Sequence, residues 1–462
     1  MPPNDEVFES AISIARPAAA VYDWHLQPGA FLRLQPPWER VELIGGHPGV
    51  TNGSLVRVCS RVGPFRTEFL VEHRSVQAGR QFHDVMLRGP FARWEHRHIF
   101  ESPGPGSCRL VDRITYRLPG GAMGRLLGAG FVRRKLARMF AYRQSVTKAD
   151  LETVPAGFKP LTVLISGGSG LVGRNLIPFL QTQGHTVRQL VRRAPVAAGE
   201  IRWNPAAGEL DARQLEGIDA VVHLSGENIA AGRWTPARRQ ALRRSRLDST
   251  RTLVSALAKM ARPPRVLVSA SAVGRYGDCG DEILNESHAG GTGFLAELCR
   301  DWEAELVPAH ALGIRTVALR TGVVLTAAGG ALAKMLPAFR AGVGGRLGSG
   351  RQWMAWIALD DLLGAIHHAL LHADCEGPVN AVAPAPVTNA QFTAVLGAVL
   401  HRPTLLPVPA FALRLLFGRM ADEALLGSAR AVPGVLQRSG YVFRFPQLEP
   451  ALRHLLGSDR KA

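Results

Sequence analysis

The stretch LTVLISGGSGLVG, from Leu161 to Gly173, decides the fold. It opens with an apolar run, Leu161–Ser166, that has the length and composition of a buried strand. Glycines follow at positions 167, 170 and 173, directly before a run typical of a helix. This G-x-x-G-x-x-G spacing permits a tight turn, a close approach of the backbone to a pyrophosphate, and close packing of the helix on the strand. The stretch therefore predicts the dinucleotide-binding turn of a Rossmann fold.

The residues after this turn alternate between strand-like and helix-like runs, which indicates an α/β fold with a doubly wound parallel sheet. Further strands are predicted at His185–Val191, Ala220–Leu224, Arg265–Ala270 and Thr316–Arg320. Ligands of such sheets bind at the carboxyl ends of the strands. The predicted cofactor-binding residues therefore lie in the glycine turn and after the Ala220–Leu224 strand: Gly167, Gly168, Ser169, Gly170, Leu171, Val172, Gly173, Leu224, Ser225 and Gly226.

Two arginines, Arg192 and Arg193, follow the predicted second strand. NAD-specific enzymes usually carry an acidic residue there for the ribose 2′-hydroxyl. Arginine suits a 2′-phosphate instead, so the predicted cofactor is NADP(H). The alternative is that both residues belong to the many surface arginines of this chain.

The formal net charge of +18 invites a nucleic-acid interpretation, since basic side chains gain affinity by displacing counterions from phosphates. Only six of the 55 basic residues are lysines, and the arginines are spread over the whole chain. The densest cluster has the spacing of a solvated helix face: Arg238, Arg239, Arg243, Arg244 and Arg246. We therefore expect no nucleic-acid partner.

The spacing of the cysteines and the hydropathy of the sequence indicate the cellular compartment. Five cysteines are scattered without a C-x-x-C pair, so neither a disulfide framework nor a zinc pattern is predicted. No apolar run reaches the roughly 20 residues of a membrane span, and the first residues, MPPNDEVFES, lack the features of a signal peptide. We expect a cytoplasmic protein without a membrane span.

Residues 1–150 have a different pattern, in which several strand-like runs follow one another. Strands are predicted at Phe65–Val76, Arg80–Leu87, Ala92–Phe100 and Cys108–Leu118, and helices at Ala18–His25 and Gly124–Val146. A strand meander followed by a long helix predicts an α+β helix-grip domain, in which a curved antiparallel sheet holds the helix. The long helix has one candidate apolar face: Leu127, Phe131, Leu136, Met139 and Phe140.

This N-terminal part also carries an H-x-H pair. Trp94, His96 and His98 alternate onto one face of a predicted strand, and such a pair can bind zinc. No third ligand is spaced convincingly along the sequence, so no metal site is predicted. The three side chains are interpreted as the lining of a cavity beneath the long helix.

Six segments resemble the epimerase-like atypical short-chain dehydrogenases: SGGSGLVG, VVHLSGENIA, SASAVGRYGD, FLAELCRDWEAE, LRTGVVL and GGRLGSGRQWMAWIALDDL. The stretch from Pro403 through GYVFRFPQLEPAL resembles that family's own C-terminal domain. The first part, with PPWERV, GPFARWEHRHIF and MFAYRQ, resembles the START-related polyketide-cyclase-like (SRPBCC) fold, which implies a site for an apolar ligand. The predicted segments are a ligand-binding domain (1–150), a linker (151–160), an NADP(H)-binding domain (161–402) and a C-terminal domain (403–457).

The resemblance implies a catalytic site that this chain fills only in part. Extended short-chain dehydrogenases move a proton with the Tyr of a Y-x-x-x-K pair, and a preceding Ser polarises the substrate oxygen. Ser271, in SASA, matches that serine, whereas Phe294 and Leu298 occupy the tyrosine and lysine positions. Tyr276, in the following loop, is the candidate proton donor. The alternative is that Tyr276 only shapes this loop.

The resemblance also marks a position on the substrate side. Arg351 lies where extended relatives contact an anionic substrate with an arginine, so it is the candidate substrate-binding residue. Ala358 stands where the family commonly has His. Cys299 lies among apolar residues of a predicted helix and is interpreted as packing rather than as a nucleophile.

Three classes of function compete. The leading hypothesis is an NADP(H)-dependent reductase, epimerase or dehydratase that acts on a small molecule. Because the Y-x-x-x-K pair is missing, the alternative is an NADP(H)-binding sensor or scaffold without turnover. A nucleic-acid or cell-division factor is the third class, and it rests on the net charge alone.

Overall fold

The computed structural model describes residues 5–46, 49–62, 65–153 and 159–458. It divides into two compact units. The first comprises Met1–Pro160, Pro178–Gly184 and Leu456–Ala462, and the second comprises Leu161–Ile177 and His185–Leu455. Within the described ranges, no helix combines the length and the apolar character that crossing a bilayer requires. Residues 154–158 of the predicted linker lie outside the described residues, and the linker's first two residues still belong to a helix.

The first unit contains an antiparallel sheet whose seven strands lie in the order β1-β7-β6-β5-β4-β3-β2. The strands are β1 (Glu6–Ile14), β2 (Val41–Gly46), β3 (Leu55–Val62), β4 (Phe65–Gln77), β5 (Gln81–Arg88), β6 (Arg93–Gly104) and β7 (Ser107–Arg117). The helices are α1 (Ala18–Leu26), α2 (Ala30–Arg33) and α3 (Gly121–Glu152). The predicted helix-grip architecture is confirmed, although β1, β2 and β3 were not predicted.

Helix α3 packs on the sheet through its C-terminal half. Phe140 is 1% exposed, and its ring centroid lies 5.5 Å from that of Phe8 and 5.3 Å from that of His96. Leu127 and Phe131 are 76% and 54% exposed, so the prediction that they belong to the buried face is wrong. The buried residues of α3 begin only at Leu136, so the earlier turns of the helix contribute little to the core of this unit.

The second unit is built on a parallel sheet of seven strands in the order β10-β9-β8-β11-β12-β14-β18. These strands are β8 (Thr162–Ser166), β9 (Thr186–Val191), β10 (Glu200–Arg202), β11 (Ala220–His223), β12 (Val266–Ala272), β14 (Arg315–Thr321) and β18 (Gly377–Ala381). Short strands form three further pairs: β13 (Ile283–Leu284) with β20 (Arg430–Ala431), β15 (Val323–Leu325) with β17 (Trp356–Ala358), and β16 (Trp353–Met354) with β19 (Val387–Thr388).

The helices that follow β8 along the chain complete the predicted doubly wound α/β pattern. They are α4 (Gly173–Thr182), α5 (Pro236–Leu257), α6 (Phe294–Ala304), α7 (Val307–Ala311), α8 (Gly330–Arg340), α9 (Leu359–Leu371), α10 (Asn389–Leu400), α11 (Ala410–Phe417), α12 (Gly434–Arg438) and α13 (Leu448–Leu456). Val163, Leu164 and Ile165 of β8 are fully buried, as expected for a strand covered on both faces. From β8 the strands β9 and β10 are added on one side of the sheet, and β11 and the later strands on the other side. The switch point is therefore between β8 and β11, and such sheets bind ligands there.

Candidate functional site

Glycines shape the turn between β8 and α4. Gly167 has a φ of 74°, and a Cβ added there would lie 2.7 Å from the carbonyl carbon and oxygen of Leu224. A Cβ added to Gly173 would lie 2.4 Å from the Gly167 oxygen. Both distances are far below van der Waals contact, so the local fold requires glycine at these two positions.

Gly170 differs from its neighbours because its free side faces open space. The residue is exposed, and an added Cβ would meet one described atom beyond its chain neighbours within 4 Å, the Gly167 oxygen at 3.2 Å. A side chain here would therefore disturb little of the protein itself. The backbone at this point is uncovered, which is what the close approach of a phosphate group requires.

Two buried side chains fasten β8 to β11 at the switch point. Ser166 Oγ lies 2.7 Å from His223 Nδ1, and it also accepts the Leu224 N–H at 3.2 Å. Burial lowers the pKa of His223 to about 3, so the imidazole is neutral at pH 7. These contacts place the predicted segment 224–226 beside the glycine turn.

The two arginines after β9 have different surroundings. Arg193 donates from Nη1 to Glu200 Oε2 at 2.8 Å and from Nη2 to Glu200 Oε1 at 2.5 Å. The bonds from Arg193 and from the Val196 N–H lower the pKa of Glu200 to about 2. Arg192 is exposed, and its side chain forms no hydrogen bond or ion pair with the described residues. Of the pair, Arg192 is the one whose guanidinium is available to a ligand.

Ser271 belongs to a charged network at the carboxyl end of the sheet. It lies within β12, is 5% exposed, and donates from Oγ to Glu303 Oε1 at 2.7 Å. Arg320, opposite Ser271 on β14, donates to the same carboxylate from Nε at 2.9 Å and from Nη2 at 2.8 Å. The bidentate ion pair fixes Glu303, and Glu303 in turn fixes the direction of the Ser271 hydroxyl.

Tyr276 lies on the other side of Arg320 and is fully buried. Its phenolic oxygen lies 2.7 Å from Asn380 Oδ1 and 3.1 Å from the Asn285 carbonyl oxygen, and it accepts from Arg320 Nη1 at 3.1 Å. Burial raises the pKa of Tyr276. Arg320 thus contacts Tyr276 directly and Ser271 through the carboxylate of Glu303. The phenolic oxygen of Tyr276, however, already has hydrogen-bond partners within the protein.

The positions of the missing Y-x-x-x-K pair lie on α6. Phe294 begins this helix, and Leu298 is 1% exposed. Cys299, next to Leu298, is also buried, and burial raises the pKa of its thiol to about 11. A thiol that holds its proton in this way is a poor nucleophile at neutral pH.

Within the described residues, no hydrogen bond or ion pair connects the predicted substrate residue with this network. Arg351 is exposed, and its backbone N–H donates to Ser349 Oγ at 3.2 Å. Its side chain forms no hydrogen bond or ion pair within the described residues. Ala358 ends β17 and is fully buried. The substrate role of Arg351 therefore stays a prediction.

Sequence reasoning missed Glu303 and Arg320. Arg320 did carry a signal, since a charged residue at the end of the apolar strand TVALR must find a partner if it is buried. Glu303 is one of several acidic residues in FLAELCRDWEAE, and nothing in the sequence separates it from its solvent-facing neighbours.

Comparisons with known proteins bear on the whole chain. Residues 163–381 match the model of the NAD dependent epimerase/dehydratase family, residues 6–150 match polyketide cyclase / dehydrase and lipid transport, and residues 408–455 match a domain of unknown function, DUF1731. An epimerase family protein of Mycobacterium tuberculosis is 48% identical over 290 residues, which are 63% of this chain and 96% of that protein. The chain belongs to the NAD-dependent epimerase/dehydratase family.

Two solved structures of epimerase proteins are also similar to this chain. A nucleoside-diphosphate sugar epimerase from Corynebacterium glutamicum has 34% identity and a TM-score of 0.80, and the match covers 98% of this chain and 91% of that one. Human epimerase family protein SDR39U1, solved with NADPH, has 34% identity and a TM-score of 0.58, with 64% and 99% covered. The resemblances predicted for both parts of the chain are confirmed. The second unit thus has the fold of NAD(P)-binding members of the family.

Proposed function

We propose that the second unit binds NADP(H) and acts as an oxidoreductase or epimerase on a small molecule. The observation that carries this proposal is the turn at Gly170, which is open to a ligand while Gly167 and Gly173 are packed against protein. The turn lies at the switch point of the sheet, where dinucleotides bind in Rossmann folds. The NADPH in the human relative supports the same cofactor here.

The residues of this chain fit such a cofactor. The N–H groups of Arg174, Asn175 and Leu176 in the first turn of α4 already donate to the carbonyls of Gly170 and Val172. The N–H groups just before them, from Leu171 to Gly173, would therefore hold the pyrophosphate. Arg192 would contact the 2′-phosphate, and residues 224–226 would lie beside the turn. When bound, NADP(H) would supply the reversible oxidation of a substrate hydroxyl to a carbonyl.

Ser271 would orient the reacting oxygen of the substrate. Because its proton goes to Glu303, its oxygen has lone pairs left to accept a hydrogen bond from a substrate hydroxyl. After rotation about its Cβ–Oγ bond, the same hydroxyl could donate to a carbonyl. Glu303 and Arg320 would act as positioning residues that hold the serine in the first of these arrangements.

For Tyr276 we propose a structural role in place of proton transfer. Tyr276→Phe is expected to lower the free energy of unfolding by about 1–3 kcal/mol, because partners of the buried phenol lose their hydrogen bond. Turnover should fall less than tenfold. Urea unfolding and steady-state kinetics measure the two effects. A loss of turnover of about 10²–10⁴ with unchanged stability would instead mark the tyrosine as a general acid or base.

A sensor or scaffold without turnover is the second candidate function, and the observation that favours it is the Phe294 and Leu298 pair on α6. The two candidates differ in one measurement. A screen of hydroxyl and carbonyl metabolites, followed by the 340 nm absorbance of NADPH, should find a substrate if the second unit is an oxidoreductase. Tight NADPH binding without a substrate in that screen would favour the sensor.

For the first unit we propose an apolar ligand, on the strength of its match to polyketide cyclase / dehydrase and lipid transport. The cavity next to α3 has a volume of about 20 Å³, which is room for roughly one water, and His98, Asp112 and Arg143 are in its lining. Ligand binding would have to widen this cavity. Mass spectrometry of small molecules that copurify with the full chain tests the proposal. If no apolar molecule copurifies, the proposal is contradicted.

Cofactor preference provides a direct prediction. Arg192→Ala is expected to weaken NADPH binding by about 10–100-fold and to leave NADH binding unchanged, since a charged hydrogen bond contributes about 1.5–3 kcal/mol. Arg193→Ala is the matched control and should weaken NADPH binding less, because Glu200 already engages its guanidinium. Calorimetric dissociation constants check both variants. Equal affinities for NADPH and NADH in the unmodified protein would contradict the assignment.

A further inference from the structure

A second cluster of functional side chains lies in the first unit, on one face of its antiparallel sheet. Asp84 on β5 pairs in register with His96 on β6, and His98 follows two residues along β6 on the same face. Each of the three residues offers one ligand atom, and these atoms lie within 4.8 Å of one another. Asp84 Oδ2 is 3.9 Å from His96 Nδ1 and 3.4 Å from His98 Nε2.

Two residues outside the cluster approach its remaining polar atoms. Asp112 on β7 lies 3.0 Å from His96 Nε2 and 3.0 Å from His98 Nδ1, both measured to its Oδ1. His73 Nδ1 lies 2.7 Å from the other oxygen of Asp84, Oδ1. Metal-bound histidines almost always direct their second ring nitrogen to a carboxylate or carbonyl, which fixes the tautomer and the ring orientation. Asp112 supplies that partner for His96 through a hydrogen bond. His98 Nδ1, although 3.0 Å from the same oxygen, has no hydrogen-bond partner among the described residues.

From this arrangement we propose that Asp84, His96 and His98 bind one divalent transition-metal ion, of which Zn²⁺ is the best-suited probe. Tetrahedral zinc with ligand bonds of about 2.0–2.1 Å places its ligand atoms about 3.3 Å apart, so the observed separations need only small side-chain adjustments. Two imidazoles and one carboxylate leave a coordination position for water, as in hydrolytic and redox metal sites.

Charge and access support a cation at this place. Asp84 and Asp112 bring two carboxylates into a mostly buried region, where negative charge needs compensation. Arg143 supplies one positive charge near both carboxylates, and either a protonated histidine or a metal ion in its place would supply the second. Asp84 is 22% exposed, whereas the side chains of His96 and His98 are 6% and 11% exposed. An ion can therefore enter from the side of Asp84 and meet the imidazoles behind it.

The sequence missed this site because the third ligand lies on a different strand. His96 and His98 are adjacent in the H-x-H pattern, but Asp84 precedes them by more than ten residues and meets them only through the register of β5 and β6. In the folded unit Asp84 supplies the third ligand atom that the spacing along the sequence did not offer. The site lies outside the proposed NADP(H) site, so each can fail without the other.

The test is zinc binding by the full chain. Protein treated with a chelator and dialysed should take up one equivalent of Zn²⁺ in isothermal titration calorimetry and retain it in elemental analysis. His96→Gln and His98→Gln should each weaken binding at least 100-fold, and Asp112→Asn should weaken it about 10–100-fold. The matched control is His83→Gln, which removes a buried histidine next to Asp84 that is not part of the cluster.

X-ray absorption on the zinc-loaded, unmodified protein keeps the test decisive if a variant fails to fold. Nitrogen and oxygen ligands with imidazole scattering are expected. A Zn–S distance near 2.3 Å would place the ion at the other candidate cluster, Cys279, Glu282 and His288, and would overturn the proposal. So would a lack of zinc uptake, which would make the cluster a buried His–Asp ion-pair network only.

Discussion

Gly170→Val is expected to weaken NADPH binding by about 10²–10⁴-fold while the protein stays folded. The added side chain would occupy the open side of the turn, and the loss of two charged hydrogen bonds from the pyrophosphate would account for this factor. The fold should survive because the new Cβ meets only the Gly167 oxygen, at 3.2 Å. Fluorescence titration with NADPH and a thermal melt measure binding and folding separately.

Two other glycines provide the controls. Gly232→Val places the same side chain in an exposed loop of the second unit, where an added Cβ meets no heavy atom of the described residues within 4 Å beyond its chain neighbours. NADPH binding and melting temperature should therefore both stay unchanged. Gly173→Val should destabilise the turn itself, because its Cβ would lie 2.4 Å from the Gly167 oxygen. Native NADPH affinity in the Gly170 variant would mean that this turn does not hold the cofactor.

Ser271→Ala is expected to lower turnover by about 10²–10³-fold on any substrate that the NADPH screen identifies. This is the scale of the loss when one preorganised hydrogen-bonding group at the reacting oxygen is removed. The dissociation constant for NADPH should hardly change, because the cofactor phosphates would bind at the glycine turn. Steady-state kinetics and cofactor titration on the same variant separate the two effects.

Ser269→Ala is the matched control for this variant. Ser269 lies two residues earlier on β12, is fully buried, and its Oγ has no hydrogen-bond partner among the described residues. Loss of that hydroxyl should therefore leave turnover intact. If Ser271→Ala and Ser269→Ala had the same turnover as each other, Ser271 would not orient the substrate. The chemistry would then have to be assigned to other residues.

The sequence predicted the sheet that carries the proposed cofactor site because the information there is local. The run Leu161–Gly173 contains a strand, a turn and a helix start in direct succession, and the alternation after it predicts four further strands, which the structure has as β9, β11, β12 and β14. Strands β1 and β2, by contrast, lie at the two edges of the antiparallel sheet. Edge strands are less buried, so their residues carry a weaker hydrophobic pattern.

The charged networks could not be predicted, because each depends on strand register. Glu303 becomes the partner of Ser271 only after β12 and β14 place Arg320 opposite that serine. The exposed start of α3 has a related cause, since helical spacing identifies an apolar face but not how far the sheet extends beneath it. These contacts form only in the folded chain, so a single sequence does not reveal them.

The ion pair between Arg193 and Glu200 has a consequence for how cofactor choice could change over evolution. Glu200 begins β10, the strand next to β9, and Arg193 and the Val196 N–H hold its carboxylate. An acidic group near this strand end is what NAD-dependent relatives use to bind the ribose. Loss of the Arg193 side chain would expose that carboxylate, and the NADH affinity of Arg193→Ala would reveal it. A single substitution, Arg193→Ala, would then be enough to offer Glu200 as a hydrogen-bond acceptor to the unphosphorylated ribose of NADH.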